Sequence, residues 1–175
     1  MLFRSRQTPA TKTPLDLNTL GRTAVKLAEP QWQALGIEVR TELDRQLPKV
    51  LGDSNQLLQV CLQLVGNCLH VLTERGGTVL NVRTEQNGSL CVLEFACETV
   101  AKTSSNQASS TIDAADSLGL AACLGILQEH EGQVRREERE DRHLVLSVAL
   151  PAAKMAAASP KESTVPVLWQ SQPYA

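Results

Sequence analysis

The stretch LGDSNQLLQVCLQLVGNCLHVLTERGG, residues 51–77, decides how this chain is read. Asp53 can accept hydrogen bonds from the free amides of a helix start, and Gln56, three residues on, has the spacing of a capping box. From residue 54 to about 74 the chain is dense in Leu, Val and Cys, and Gly76-Gly77 supplies the stop. The polar residues are not scattered. Gln56, Gln59, Gln63, Asn67, His70 and Glu74 recur at steps of three or four and so share one stripe of a helix. A merely solvated face favours Lys, Glu and Arg, whereas this stripe is mainly uncharged amides plus one imidazole. Gly66 and Cys68 are small and leave room for something to approach Asn67. Two readings stand side by side: a solvated face, or a wall whose amides bond a polar ligand or complete the oxygen shell of a metal ion.

Working outward, Asp16 precedes Leu17, Leu20, Ala24, Leu27 and Ala28 at helical spacing. Pro30 is expected to kink the end of that helix and Gly36 to close it. Residues 37–43 alternate apolar and polar, as a half-buried strand does, and residues 49–51 read as a short strand. Residues 78–85 and 89–97 read as two strands joined by a tight turn at Asn87-Gly88. Residues 98–116 are small and polar and read as a mobile surface loop. A helical pattern from 117 to about 130 sets Leu118, Ala121, Ala122, Gly125 and Ile126 on one side, with Gly132 as its stop. Residues 134–139 and 144–150 complete the pattern as two strands. Residues 1–14 read as a linker, 15–151 as one domain and 152–175 as a low-complexity, disordered tail. Strands and helices mixed in this order predict an α+β architecture, one sheet with helices layered on one face.

Composition bounds the function. A chain of 175 residues, 42% hydrophobic and 21% charged, holds one ordinary domain with short tails. Its 17 basic and 19 acidic residues leave a formal charge of −2, without the basic stripe of a nucleic-acid binder, so no nucleic-acid partner is expected. The aromatic set is Phe3, Trp32, Phe95, Trp169 and Tyr174, too few for base-stacking platforms, so the core must come from Leu, Val, Ile and Ala. No uninterrupted apolar run reaches the roughly 18 residues of a membrane span, and MLFRSRQTPATKTP lacks a signal-peptide core, which predicts a cytoplasmic chain without a membrane segment. The five cysteines contain no C-x-x-C pair, and His70, His130 and His143 are not placed to make a zinc site with them. They read as small buried hydrophobes of a reducing compartment.

Two runs of residues carry a family resemblance. Leu51-Gly52-Asp53, Leu57-Leu58-Gln59-Val60 and Gln63-Leu64-Val65-Gly66-Asn67-Cys68 resemble the N box, an N-L-x-x-N-A pattern on a helix. Ser117-Leu118-Gly119-Leu120-Ala121, followed by Gly125 to Ile126 and then His130-Glu131-Gly132, is similar to a G-x-G-L-G-L glycine box with its helix and terminal H-x-G turn. Together and in order, over residues 15–151, they resemble the ATP-binding catalytic domain of two-component sensor histidine kinases, within the Hsp90-like (Bergerat-fold) ATPase superfamily.

The resemblance implies a two-layer sandwich, a mixed sheet of about five strands with three helices on one face, and ATP held under a lid at residues 98–116. It implies Mg²⁺ on Asn67 and nucleotide contacts from Gln63, His70, Cys97, Leu118, Gly119 and Leu120. It further implies transfer of the γ-phosphoryl group to a histidine on a separate dimerisation helix, with a response regulator receiver domain downstream. No residue of this chain is assigned a covalent or acid–base step, since positioning and charge neutralisation carry such a reaction. The departures are specific. Where the family has the D-x-G-x-G box, this chain has Cys97, Glu98, Thr99, Val100 and Ala101, so a thiol replaces the carboxylate that reads the adenine amino group. Ala115 and Ser117 replace the first glycines of the second box. Gln63 stands where a carboxylate acts as general base in ATP-hydrolysing relatives, and it cannot take up a proton usefully. No H-[ED]-x-[RK]-x-P phosphoacceptor motif is present in these residues. The alternative reading is a pseudokinase-like binding module that keeps the fold with weak or no nucleotide binding.

Overall fold

Asp16 and Asp53 each close an extended segment and open a helix, and in the computed structural model, which describes residues 12–100, 118–139 and 143–153, both act as expected. The Asp16 carboxylate accepts from the Asn18 amide, and that of Asp53 from the amides of Asn55 and Gln56. The helices they open are α1 (Leu17–Leu27) and α3 (Ser54–Arg75). The remaining elements are β1 (Thr13–Leu15), α2 (Glu29–Ala34), β2 (Glu38–Glu42), β3 (Val50–Gly52), β4 (Val79–Asn87), β5 (Leu90–Glu98), α4 (Leu118–Glu129), β6 (Gln133–Glu138) and β7 (His143–Pro151). Five strands form one mixed sheet in the order β2-β4-β5-β7-β6, with only the β2–β4 pair parallel. β1 and β3 form a separate antiparallel pair.

The alternation of β5 places Cys91, Leu93, Phe95 and Cys97 on the helix-covered face, all fully buried. α3 meets that face with Leu57, Val60, Cys61, Leu64, Val65, Cys68 and Leu72. By length and composition α3 could cross a membrane, but its apolar side lies against the sheet. All five cysteines are free and buried.

Several local expectations shift. Thr13 and Pro14 belong to β1, paired with Gly52 and Leu51, so the folded unit begins inside the stretch read as linker. Pro30 does not kink α1; it sits in the first turn of a separate helix, α2, where its missing amide costs nothing. Strand β2 is more exposed than a half-buried strand, because it is the outermost strand of the sheet. Asn87 pairs with Leu90, so the hairpin turn is Gly88-Ser89, with Gly88 at φ +61°. Positive φ at the first central residue alone is the II′ pattern. At the end of α4 the left-handed residue is Glu131, φ 54°, rather than Gly132, which instead lies tight against Leu150. Cys123 and Leu127 are the buried side chains of α4 among its described side chains, while Gly125 is exposed and Ile126 half-buried. Glu98 completes β5 and Thr99 is buried, so the start of the loop read at 98–116 belongs to the sheet; the rest of it lies outside the described residues, as do 154–175.

The capping box is also built differently. Gln56 does not return a bond to Asp53, and its Oε1 is buried without a partner. The Asp53 amide instead donates to Nε2 of His130, 3.0 Å away and 77 residues along the chain. His130 Nδ1 lies 2.7 Å from the carbonyl oxygen of Ile126. A neutral imidazole protonated on Nδ1 satisfies both bonds, clipping the start of α3 to the end of α4. Gly52 makes room for the ring: a Cβ there would stand 2.6 Å from Leu57 Cδ1 and 2.8 Å from His130 Cδ2.

Replacing His130 by Ala leaves the part-buried Asp53 amide unpaired, while the Ile126 carbonyl keeps its bond from the backbone amide of residue 130, and is expected to cost about 1–3 kcal/mol, read as a lower urea midpoint. Gly52→Ala lowers it too, by forcing Leu57 and the imidazole apart. A second prediction concerns the thiols. Burial pushes the Cys61 thiol from 9.0 up to about 12, with Cys123 adding to it, and Cys68 is raised as well. A raised folded pKa means stability is fully present below pH 9.0 and is lost as pH climbs toward about 12. The urea midpoint therefore falls on raising pH above 9, and iodoacetamide labels Cys61 and Cys68 far more slowly in the native state than in denaturant.

Candidate functional site

Cys97 reaches α3 beside Asn67, and helix geometry gives the level at which the first turn of α4 lies. α3 and α4 run antiparallel, because His130 at the end of α4 bonds to Asp53 at the start of α3 while Cys123 lies close enough to Cys61 to raise its thiol. Leu118 precedes Cys123 by five residues, about 7.5 Å along a helix axis, which brings the first turn of α4 level with Gly66 and Asn67. Leu118, Gly119 and Leu120 form that turn. Cys97 arrives from the sheet, its thiol 3.9 Å from the carbonyl oxygen of Cys68, the residue after Asn67.

Along the amide stripe of α3, Gln59 and His70 are exposed. Gln63 and Asn67 are half-buried, and neither side chain has a hydrogen-bond partner among the described residues. A carboxamide oxygen with nothing to accept is available to a ligand. His70, one turn on, is exposed, and its Nε2 sits 3.3 Å from Glu74 Oε1 rather than over the position of Asn67. No group of three or more His, Cys, Asp or Glu side chains that could hold a metal ion occurs among the described residues. A cation at Asn67 would thus have to arrive with most of its own oxygen ligands.

Cys97 departs from the role its position suggests. Its side chain is fully buried between register partners Leu80 and Leu144 and turned to the backbone of α3. A thiol is a weak acceptor, and this one is engaged as a donor. The rim beyond it was not legible: Thr99 is buried, and the Val100 amide donates to the Arg75 carbonyl (3.3 Å), tying the end of β5 to the end of α3. Arg75 in turn makes a half-buried ion pair with Glu138 of β6, 2.8 Å. Its place in the last turn of α3 is a C-terminal capping signal, but nothing in the sequence marks Glu138 as its partner.

No family model matches the chain. It is 26% identical over 156 residues to sporulation kinase A of Bacillus subtilis (strain 168), covering 86% of this chain and 26% of that protein. The solved catalytic domain of histidine kinase ThkA superposes with a TM-score of 0.64 at 22% identity, over 81% of this chain and 97% of that one. Its fold is that of a histidine kinase catalytic domain. A further structure, ThkA in complex with response regulator protein TrrA, matches with a TM-score of 0.63 at 22% identity, over 81% of this chain and 42% of that one. The chain thus spans about a quarter of the length of the curated relative and nearly all of the isolated catalytic domain. The five-strand mixed sheet with helices on one face agrees with the architecture expected from the motifs, with α2 and the β1–β3 pair added.

Because Asn67 is half-buried and bonds to nothing described, Asn67→Ala should leave stability within about 0.5 kcal/mol. Cys97→Ala, in the core, should cost about 1 kcal/mol or more, and paired urea titrations of the two variants separate them.

Proposed function

We propose that this chain is the cytoplasmic catalytic module of a two-component histidine kinase, binding Mg-ATP so that its γ-phosphoryl group reaches a histidine on a separate dimerisation helix. The observation that carries the proposal is the unpartnered Asn67 carboxamide, level with the first turn of α4 and the end of β5. Asn67 fits a magnesium ion delivered with phosphate oxygens, since a neutral carbonyl oxygen adds a ligand without adding repulsion. Gln63 borders the same stripe as a hydrogen-bonding group and holds no proton for exchange. The first turn of α4, Leu118 to Leu120, brings backbone amides without intrahelical partners, which suit phosphate. ATP supplies the transferable group; this chain binds and orients it. A response regulator as the eventual acceptor is supported by the likeness to ThkA, whose structure includes one.

The adenine end does not fit in the same way. Cys97 offers no carboxylate and is already turned to Cys68, an observation that favours a second reading, a fold-preserving module with weak or absent nucleotide binding. Calorimetric titration of Mg-ATP into the protein and into Asn67→Ala decides between them. Saturable heat lost in the variant, whose fold is intact, is the expected result. No heat at millimolar nucleotide overturns the kinase proposal and leaves the second reading in place.

A further inference from the structure

Away from the α3 stripe lies a hollow of about 340 Å³ between α1, α2 and the outermost strand β2. Its walls are apolar: Val25, Trp32, Ile37 and Val39, with Trp32 2% exposed and its Nε1 donating to the Val25 carbonyl (3.3 Å). Its rim carries Arg22 and Lys26, one helical turn apart on α1, and neither makes an ion pair among the described residues. Glu29, also at the rim, accepts from the neutral Gln33 amide (3.2 Å) and keeps its charge, so two cations and one anion leave the rim positive. Free cations around an apolar hollow match an occupant that is apolar at its centre and anionic beside it.

The backbone supplies an independent observation. The Glu38 amide donates to the Thr78 carbonyl at the start of β4, and the parallel register continues through Arg40 and Glu42. Alternation then turns the N–H and C=O groups of Val39 and Thr41 outward, where β2 has no neighbour among the described residues. The side chains of Val39 and Thr41 line the hollow. A strand laid along β2 would direct alternate side chains to that same face.

We propose that the β2 edge and this hollow form a docking site for an extended acidic peptide segment of a partner protein. The segment adds a sixth strand through the outward groups of Val39 and Thr41, seats one aliphatic side chain against Val25 and Val39, and sets carboxylates toward Arg22 and Lys26. Main-chain bonds give the attachment and the hollow gives the choice of side chain. The site is separate from the Asn67 stripe and does not depend on nucleotide binding.

The test uses the full chain and a fluorescein-labelled peptide, Thr-Glu-Thr-Ile-Thr-Glu-Thr, with a Lys-for-Glu version as control, followed by fluorescence anisotropy. Saturable binding of the acidic peptide alone is expected. The double variant Arg22→Glu with Lys26→Glu should weaken it about tenfold or more. Thr41→Pro removes an outward amide without touching the ladder to β4, so it should abolish binding while circular dichroism and urea midpoint stay as in the parent. Retained binding in a folded Thr41→Pro variant overturns strand addition, and equal binding of the Lys-for-Glu peptide overturns the charge match. Absence of saturable binding at millimolar peptide overturns the site.

Discussion

A single helix, α3, has to serve two surfaces at once, and the rest of the structure follows from how its circumference is divided. One side carries seven buried residues from Leu57 to Leu72 and fixes the helix against β5, the central strand of the sheet. The other carries Gln59, Gln63, Asn67 and His70, which are at least partly open. A rotation of one residue, about 100°, would bury amides without partners and expose leucines. The apolar contact therefore sets where Asn67 points. Its position relative to α4 is held separately, by the bond from the Asp53 amide to His130, which ties the start of α3 to the end of α4.

That tie gives the imidazole a structural task. A carboxamide at Gln56 could in principle have capped α3 locally, using only residues of one turn. Taking the acceptor from His130 instead makes the start of α3 and the end of α4 one unit, and the β1–β3 pair closes over it through Gly52. Since α4 runs antiparallel to α3, the same unit determines the level along α3 at which α4 begins.

Elements whose information is local were legible in the sequence. The caps at Asp16 and Asp53, the stop at Gly76 and the alternation of β4 and β5 depend on residues within a few positions, and the structure keeps them. What sequence could not assign were choices made across long separations. The competition between Gln56 and His130 for the Asp53 amide is one; the pairing of Thr13 with Gly52 is another. The hairpin turn slipped by one residue because Asn87-Gly88 and Gly88-Ser89 differ only in which pair of flanks the ladder selects. In the candidate site the amide stripe was visible by periodicity and the inward face of Cys97 by the alternation of β5, whereas its contact with Cys68, 29 residues earlier, was not.

The Cys97–Cys68 contact also explains how this fold can carry a thiol where the resemblance expects a carboxylate. Position 97 alternates with Phe95 and Leu93 into the helix-covered face, between Leu80 and Leu144 of the neighbouring strands. An ionised carboxylate there would need hydrogen-bond donors or a cation to offset its desolvation. Here the Cys97 thiol donates to a backbone carbonyl of α3, an acceptor, and lies beside the Cys68 thiol; the carbonyl suits an S–H and opposes a carboxylate. The thiol completes the core at the point where β5 meets α3, while Asn67, one residue before Cys68, is left to the open side. Packing and ligand chemistry are thus assigned to adjacent residues of one helical turn, so a change on the core side need not displace the amide on the other.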